Sequence, residues 1–122
     1  LRGYVNSRGE CHPNYHYEDM MQLLKVYRPE EFANRAVIVD TNHSNSNKQY
    51  KEQIRIAKEV LNNRRHNEEL RKLVKGFMIE SYLEEGSQPI SDHMTYGKSI
   101  TDPCLGWEDT RRLIDTIAEM SV

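Results

Sequence analysis

Two kinds of apolar pattern alternate along this chain: short continuous runs, and stretches in which apolar residues recur every three or four positions. The first marks a strand buried in a parallel sheet, the second a helix with one face on a core. Met20, Met21, Leu23, Leu24 and Tyr27 give an apolar face to a helix over residues 17–27, which Pro29 ends or follows with a connecting turn. Ala36, Val37, Ile38 and Val39 form a β-rich run, a strand buried on both faces, which leads through Asp40 into a polar loop over residues 42–47. Tyr50, Ile54, Ala57, Val60 and Leu61 place the next helix at residues 48–63. Leu70, Leu73 and Val74 support a shorter helical piece over residues 68–74. Gly76 punctuates it before Phe77, Met78 and Ile79, the next buried strand. Residues 81–105 read as one long loop, which in a compact domain is uncommon and usually functional. A last helix covers residues 107–120, with Leu113, Ile114, Ile117 and Ala118 facing inward. At the other end, residues 1–3 look like the close of a strand, followed by a loop to about residue 14 that contains Gly, Asn and Pro.

Strands separated by helices imply parallel pairing and right-handed crossovers. Periodicity alone allows an α/β barrel and an open doubly wound sheet equally well. Arg2, Asp40 and Glu80 all fall where a strand ends, and in α/β barrels the active site occupies that rim. Chain order therefore brings His43, Glu80 and Asp102 within reach of one another. One imidazole and two carboxylates form a mixed nitrogen and oxygen site suited to a divalent first-row metal. Each residue also has a plainer role. A lone loop histidine is usually solvated, the reading that fits His12, His16, His66 and His93. A strand-terminal glutamate can simply reach water, and Thr101 or Asp102 can cap backbone in a turn before Pro103.

Composition narrows the partners. With 30% charged and 37% hydrophobic residues, the 122-residue chain is polar for a self-sufficient globule. A net charge of −2 gives no electrostatic reason to expect nucleic acid or an acidic membrane as partner. No apolar run approaches the roughly 18 residues of a membrane span, and no secretory signal opens the sequence. Two cysteines, Cys11 and Cys104, are too few for a disulfide scaffold and too far apart for a zinc motif, so reduced thiols and a cytoplasmic location are expected. The Asn42-His43-Ser44 triplet is read as an accidental glycosylation match. Gly97-Lys98-Ser99 fails as a phosphate-binding loop because Asp92 stands where the pattern requires glycine. Glu108 and Asp109 supply first-turn negative charge to the last helix, and Arg64-Arg65-His66 reads as a solvated helix end.

Three stretches are distinctive together: Asp40-Thr41-Asn42-His43-Ser44-Asn45-Ser46, Glu80-Ser81-Tyr82-Leu83-Glu84-Glu85-Gly86, and Gly97-Lys98-Ser99-Ile100-Thr101-Asp102-Pro103-Cys104-Leu105-Gly106-Trp107-Glu108-Asp109-Thr110. In order and approximate spacing they resemble the metal-dependent class I 3-deoxy-D-arabino-heptulosonate 7-phosphate (DAHP) synthases, and the resemblance covers essentially the whole chain. It implies an α/β fold: residues 1–122 as the C-terminal portion of a single catalytic (β/α)8 TIM barrel, about three βα units, and not a closed barrel on its own. Leu1 stands inside what reads as a strand end, which agrees with that expectation. The activity implied for the full-length enzyme is condensation of phosphoenolpyruvate with D-erythrose 4-phosphate, the first step of the shikimate pathway of aromatic amino acid biosynthesis; the 122 residues alone are expected to be inactive.

The family's metal set is a cysteine, a histidine, a glutamate and an aspartate. Matched motif by motif, His43, Glu80 and Asp102 take the last three roles. The cysteine belongs near the family's first strand, outside this sequence, and neither Cys11 nor Cys104 matches it. One divalent ion, Mn, Fe, Co or Zn, suits these donors. His43 and Asp102 are expected to be catalytic, and Arg2 and His43 substrate-binding, with Arg2 on an anionic group of phosphoenolpyruvate. A homo-oligomer is expected. Asn42 stands where the family often has a small residue, and the loop after Glu80 is slightly shortened. Alternative readings are a noncatalytic self-associating fragment and a related octulosonate 8-phosphate synthase, whose relatives lack the pattern of residues 99–110.

Overall fold

The computed structural model describes residues 1–122, the side chain of Pro29 excepted. After residues 1–3 come a hairpin of β1 (Tyr4–Val5) and β2 (Cys11–His12), helix α1 (Tyr17–Val26), a 3-10 turn (Pro29–Glu31) and β3 (Val37–Asp40). Two further 3-10 turns, His43–Asn45 and Tyr50–Glu52, lead into α2 (Gln53–His66) and α3 (Glu68–Leu73). The chain continues with β4 (Val74–Met78), β5 (Glu84–Ser87), β6 (Lys98–Ser99) and α4 (Trp107–Met120).

β3 and β4 are parallel, with Val37, Ile38, Val39 and Asp40 opposite Val74, Gly76, Phe77 and Met78. Residues 1–3 lie beside β3 as a further parallel row: Leu1 N donates to Ile38 O at 2.7 Å and Asp40 N donates to Leu1 O at 2.8 Å. Beyond β4, Leu105 N donates to Glu80 O at 3.0 Å and Tyr82 N to Leu105 O at 2.9 Å, again the parallel pattern. The rows do not close on themselves. The result is a mixed α/β architecture with short sheets, in which the residues following β3 and β4 meet at one rim.

One face of these rows carries the core. Val37, Val39 and Val74 pack with Tyr15, Met20, Ile56, Val60, Leu70 and Leu73, while Ala57, Leu105 and Leu113 form a second cluster. Phe77 touches both and joins them. The opposite face is open: Ile38 is 49% and Met78 38% exposed. The expectation that both strands are buried on both faces is therefore corrected, because helices cover one side only.

Other boundaries differ for identifiable reasons. Asn47 and Lys48 sit at φ 52° and 59°, left-handed conformations that no helix continues through, so α2 starts at Gln53 instead of residue 48. Asn67 alone separates α2 from α3, its side chain accepting from Glu69 N and Leu70 N as an N-cap. In α4 the inward stripe is narrower than expected: Leu113 is buried and Ile117 packs beside it, but Ile114 is 50% exposed and Ala118 faces outward. Residues 81–105 are not structureless, since β5 pairs with β6 and Gly86 bridges to Cys104. The hairpin before α1 was also expected as loop. At its root Gly3 has φ +76°, and a Cβ there would lie 2.7 Å from His12 O and 2.8 Å from Asn45 N, so only glycine lets the hairpin and the β3 loop meet.

Candidate metal centre

The polar run that leaves β3 turns back at once instead of reaching into solvent. Asp40, Thr41 and Asn42 are all buried. Asp40 Oδ1 accepts from Asn42 N at 2.8 Å, Ser46 Oγ donates to Asn42 Oδ1 at 2.7 Å, and Lys48 N donates to His43 O at 2.9 Å. This tight knot puts His43 at φ +41°, unusual for a residue with a Cβ. Asp40 Oδ2 lies 2.6 Å from His43 Nδ1 and so turns Nε2 to the far side of the ring.

Glu80 follows β4 by two residues and is held by α2. Gln53, fully buried at the first turn, accepts from Glu80 N at 2.9 Å and donates to Glu80 O at 3.0 Å. The same Gln53 Oε1 accepts from Thr41 Oγ1 at 2.8 Å, so one amide side chain joins the ends of β3 and β4. Replacing it with leucine leaves Glu80 N and Thr41 Oγ1 without the Gln53 acceptor, while Glu80 O keeps Leu105 N, at a cost of about 2 kcal/mol. Denaturant titration of the Gln53→Leu variant reads that loss directly; a change within about 1 kcal/mol would deny Gln53 this part.

Asp102 comes from the segment between β6 and α4. Asn42 Nδ2 donates to Pro103 O at 3.0 Å and ties this segment to the histidine loop. The capping alternative for Asp102 is not what the structure shows: Ser99 Oγ accepts from Thr101 N at 3.1 Å in the local turn, while the Asp102 carboxylate faces His43 and Lys48.

The three sequence-proposed ligands converge. His43 Nε2 lies 3.1 Å from Glu80 Oε1 and 3.2 Å from Asp102 Oδ2, and one donor atom from each residue falls within 4.8 Å of the others. Lys48 Nζ is 3.3 Å from Asp102 Oδ1. Despite its distance to the imidazole, Glu80 Oε1 makes no hydrogen bond and is shut off from solvent, a buried acceptor with unused lone pairs. Burial pushes the Glu80 carboxyl above its usual range, with Asp102 and Asp40 adding to the rise and His43 opposing it. An orphaned carboxylate oxygen beside an imidazole nitrogen and a second carboxylate is a donor set that fits a small divalent cation.

The remaining expectations divide. Arg2 sits in the row beside β3, its carbonyl accepting from Asn45 N at 3.2 Å, with its side chain exposed and outside the three-residue cluster. Both cysteines are free; Cys104 is buried near the site, its Sγ donating to Asp102 O at 3.3 Å, and burial raises its thiol pKa. His16 is not merely solvated, for its Nδ1 lies 2.7 Å from Glu59 and pins α1 to α2. His12 stacks on Tyr4. Asn42 is fully buried, which suits a glycosylation match that is accidental. Gln53 and Lys48 were not singled out from sequence; the one available signal was a glutamine on the buried stripe of α2. No helix among the described residues is long and apolar enough to cross a membrane.

The chain is also similar to proteins of one enzyme family. The chain is 37% identical over 118 residues to the Trp-sensitive phospho-2-dehydro-3-deoxyheptonate aldolase of Escherichia coli K12, covering 95% of this chain and 33% of that protein. It is 41% identical over 115 residues to the phospho-2-dehydro-3-deoxyheptonate aldolase of Haemophilus influenzae, covering 91% of this chain and 30% of the relative. The chain thus spans about a third of the length of these relatives. The solved structure of phospho-2-dehydro-3-deoxyheptonate aldolase from Francisella tularensis SCHU S4 superposes with a TM-score of 0.76 at 28% identity, over 89% of this chain and 31% of that one. Residues 2–115 match the DAHP synthetase I family, and the chain belongs to that family.

Proposed function

We propose that residues 1–122 are the C-terminal portion of a single (β/α)8 catalytic barrel, and that the complete protein condenses phosphoenolpyruvate with D-erythrose 4-phosphate to DAHP and inorganic phosphate. The observation that carries this reading is the convergence of His43 Nε2, Glu80 Oε1 and Asp102 Oδ2 in a chain of this family. In the reaction the methylene carbon of phosphoenolpyruvate bonds to the aldehyde carbon, water adds at the adjacent carbon, and phosphate leaves by carbon–oxygen cleavage.

His43, Glu80 and Asp102 would hold a divalent cation, and a cysteine from outside these residues would be the further donor. A cation bound there supplies Lewis acidity to the aldehyde carbonyl. The two carboxylates set the charge of the site, and Lys48 offsets part of it at Asp102. Arg2, one row from β3, offers a planar fork of donors to an anionic group of phosphoenolpyruvate. His43 also forms part of the wall against which the substrates meet.

Phosphate release from phosphoenolpyruvate, dependent on erythrose 4-phosphate, is the assay. Chelator treatment of the complete protein is expected to abolish release and added Mn²⁺ to restore it; turnover unaffected by chelation would refute the metal reading. The raised Glu80 pKa adds a pH dependence. A ligand must be deprotonated, so cation affinity rises with pH through the window above the ordinary carboxylate value of 4.5. For the metal-free fold the opposite slope is expected: the raised Glu80 pKa means the folded chain binds that proton more tightly than the unfolded chain, so that contribution to stability is complete below pH 4.5 and is lost as pH rises through the elevated pKa.

A further inference from the structure

We infer that Asp40 is the positioning residue of the metal centre: its carboxylate fixes the orientation and tautomer of His43, so that Nε2 is the nitrogen offered to the cation. The inference rests on the proposed metal centre and goes beyond the ligands themselves.

Asp40 ends β3, buried, with its side chain only 9% exposed. Its two oxygens have separate partners. Oδ1 accepts the backbone N–H of Asn42 at 2.8 Å, which anchors the carboxylate to the turn. Oδ2 lies 2.6 Å from His43 Nδ1. A carboxylate only accepts, so Nδ1 carries the proton in this contact. The ring is then left with Nε2 aimed between Glu80 and Asp102, at 3.1 and 3.2 Å.

Nothing in the turn requires Oδ2 to do this. The loop is already closed by Asp40 Oδ1, by Ser46 on Asn42, and by Asn45 Nδ2 donating to Asp40 O at 2.8 Å. The second oxygen serves only the imidazole. The histidine's position also needs support, because φ +41° is a conformation that costs a Cβ-bearing residue roughly 1–3 kcal/mol. The contact with Asp40 is one of the bonds that hold it there. A carboxylate on the distal N–H of a ligating histidine sets the ring's direction and strengthens the opposite nitrogen as a donor.

Calorimetric titration of the metal-stripped complete protein with Co²⁺ tests the role. Asp40→Asn keeps an oxygen for the Asn42 N–H but removes the charge facing Nδ1. Cobalt affinity is expected to fall by about 10- to 100-fold, with an altered d–d absorption spectrum and a metal-free melting temperature close to that of the parent. Wild-type affinity and spectrum in Asp40→Asn, with binding lost in His43→Ala, would overturn the role of Asp40 and leave the metal centre standing. Wild-type Co²⁺ affinity in His43→Ala would instead overturn the metal centre and the inference with it. Should Asp40→Asn fail to fold, ¹⁵N NMR of the Zn²⁺-loaded wild type decides: a proton on His43 Nδ1 is expected, and a proton on Nε2 rules the inference out.

Discussion

Replacing Glu80 with alanine in the complete protein is expected to remove the bound cation and lower condensation by about a thousandfold, while the fold survives. The catalytic loss follows from the Lewis-acid contribution proposed for the cation, several kcal/mol at about 1.4 kcal/mol per tenfold in rate. The structural tolerance follows from how Glu80 is held. Its backbone N and O are both engaged by Gln53, which the substitution does not touch. Its Oε1 has no hydrogen bond to lose, and burial already disfavours its charged form. Removing it therefore relieves a desolvated carboxylate instead of orphaning a partner. His43→Ala and Asp102→Ala are expected to match the loss of metal and activity with more structural consequence. The first leaves Asp40 Oδ2 facing an empty space and the second strips Lys48 of its partner. Metal analysis after gel filtration, together with phosphate release, reads both effects. A Glu80→Ala protein with wild-type turnover in chelator-treated buffer would remove Glu80 from the site.

The proposed ligands could be picked out in sequence for a reason that the supporting residues do not share. His43 and Glu80 each follow a short apolar run, so chain order alone put them on one rim. Asp102 had no such mark: its residue type and the following Pro103 suited a turn equally well, and the family resemblance tipped the balance. Gln53 was hidden because a buried amide breaks the apolar pattern without announcing its partners, which lie on two different strands. Asp40 was visible as a strand-terminal carboxylate, but only the folded chain turns one of its oxygens to the backbone and the other to an imidazole. β5 and β6 were invisible to periodicity since Glu84, Glu85, Gly86 and Ser87 carry no apolar alternation, and their pairing is fixed by long-range backbone bonds such as Glu84 N to Gly97 O at 2.8 Å. The apolar runs of β3 and β4 identified strands, although β4 begins at Val74, which was expected to be helical, and runs through Gly76, which was expected to punctuate the chain before the strand; the second layer they anticipated is not formed by these residues.

That open layer gives the last expectation. Residues 1–122 prepared on their own are expected to form a dimer or larger assembly instead of a monomer. Ile38 and Met78 stand on the uncovered sheet face, and Gly76, opposite Ile38, adds no side chain to shield it. The segment around β5 and β6 adds Ile90 at 76% and Tyr96 at 90% exposed, and Trp107 at the start of α4 is 51% exposed. Apolar surface of this kind is stabilised by about 25 cal/mol for each Å² removed from water, and a second copy offers the same surface in return. Edge rows add unpaired backbone groups that another chain can satisfy. Ile38→Lys combined with Met78→Lys is expected to weaken the assembly without touching the helix-side core, because neither residue faces it. Light scattering at micromolar concentration measures both proteins. A compact monomer with one cooperative thermal transition in the unaltered segment would show that the open face tolerates water, and the argument from its exposure would fail.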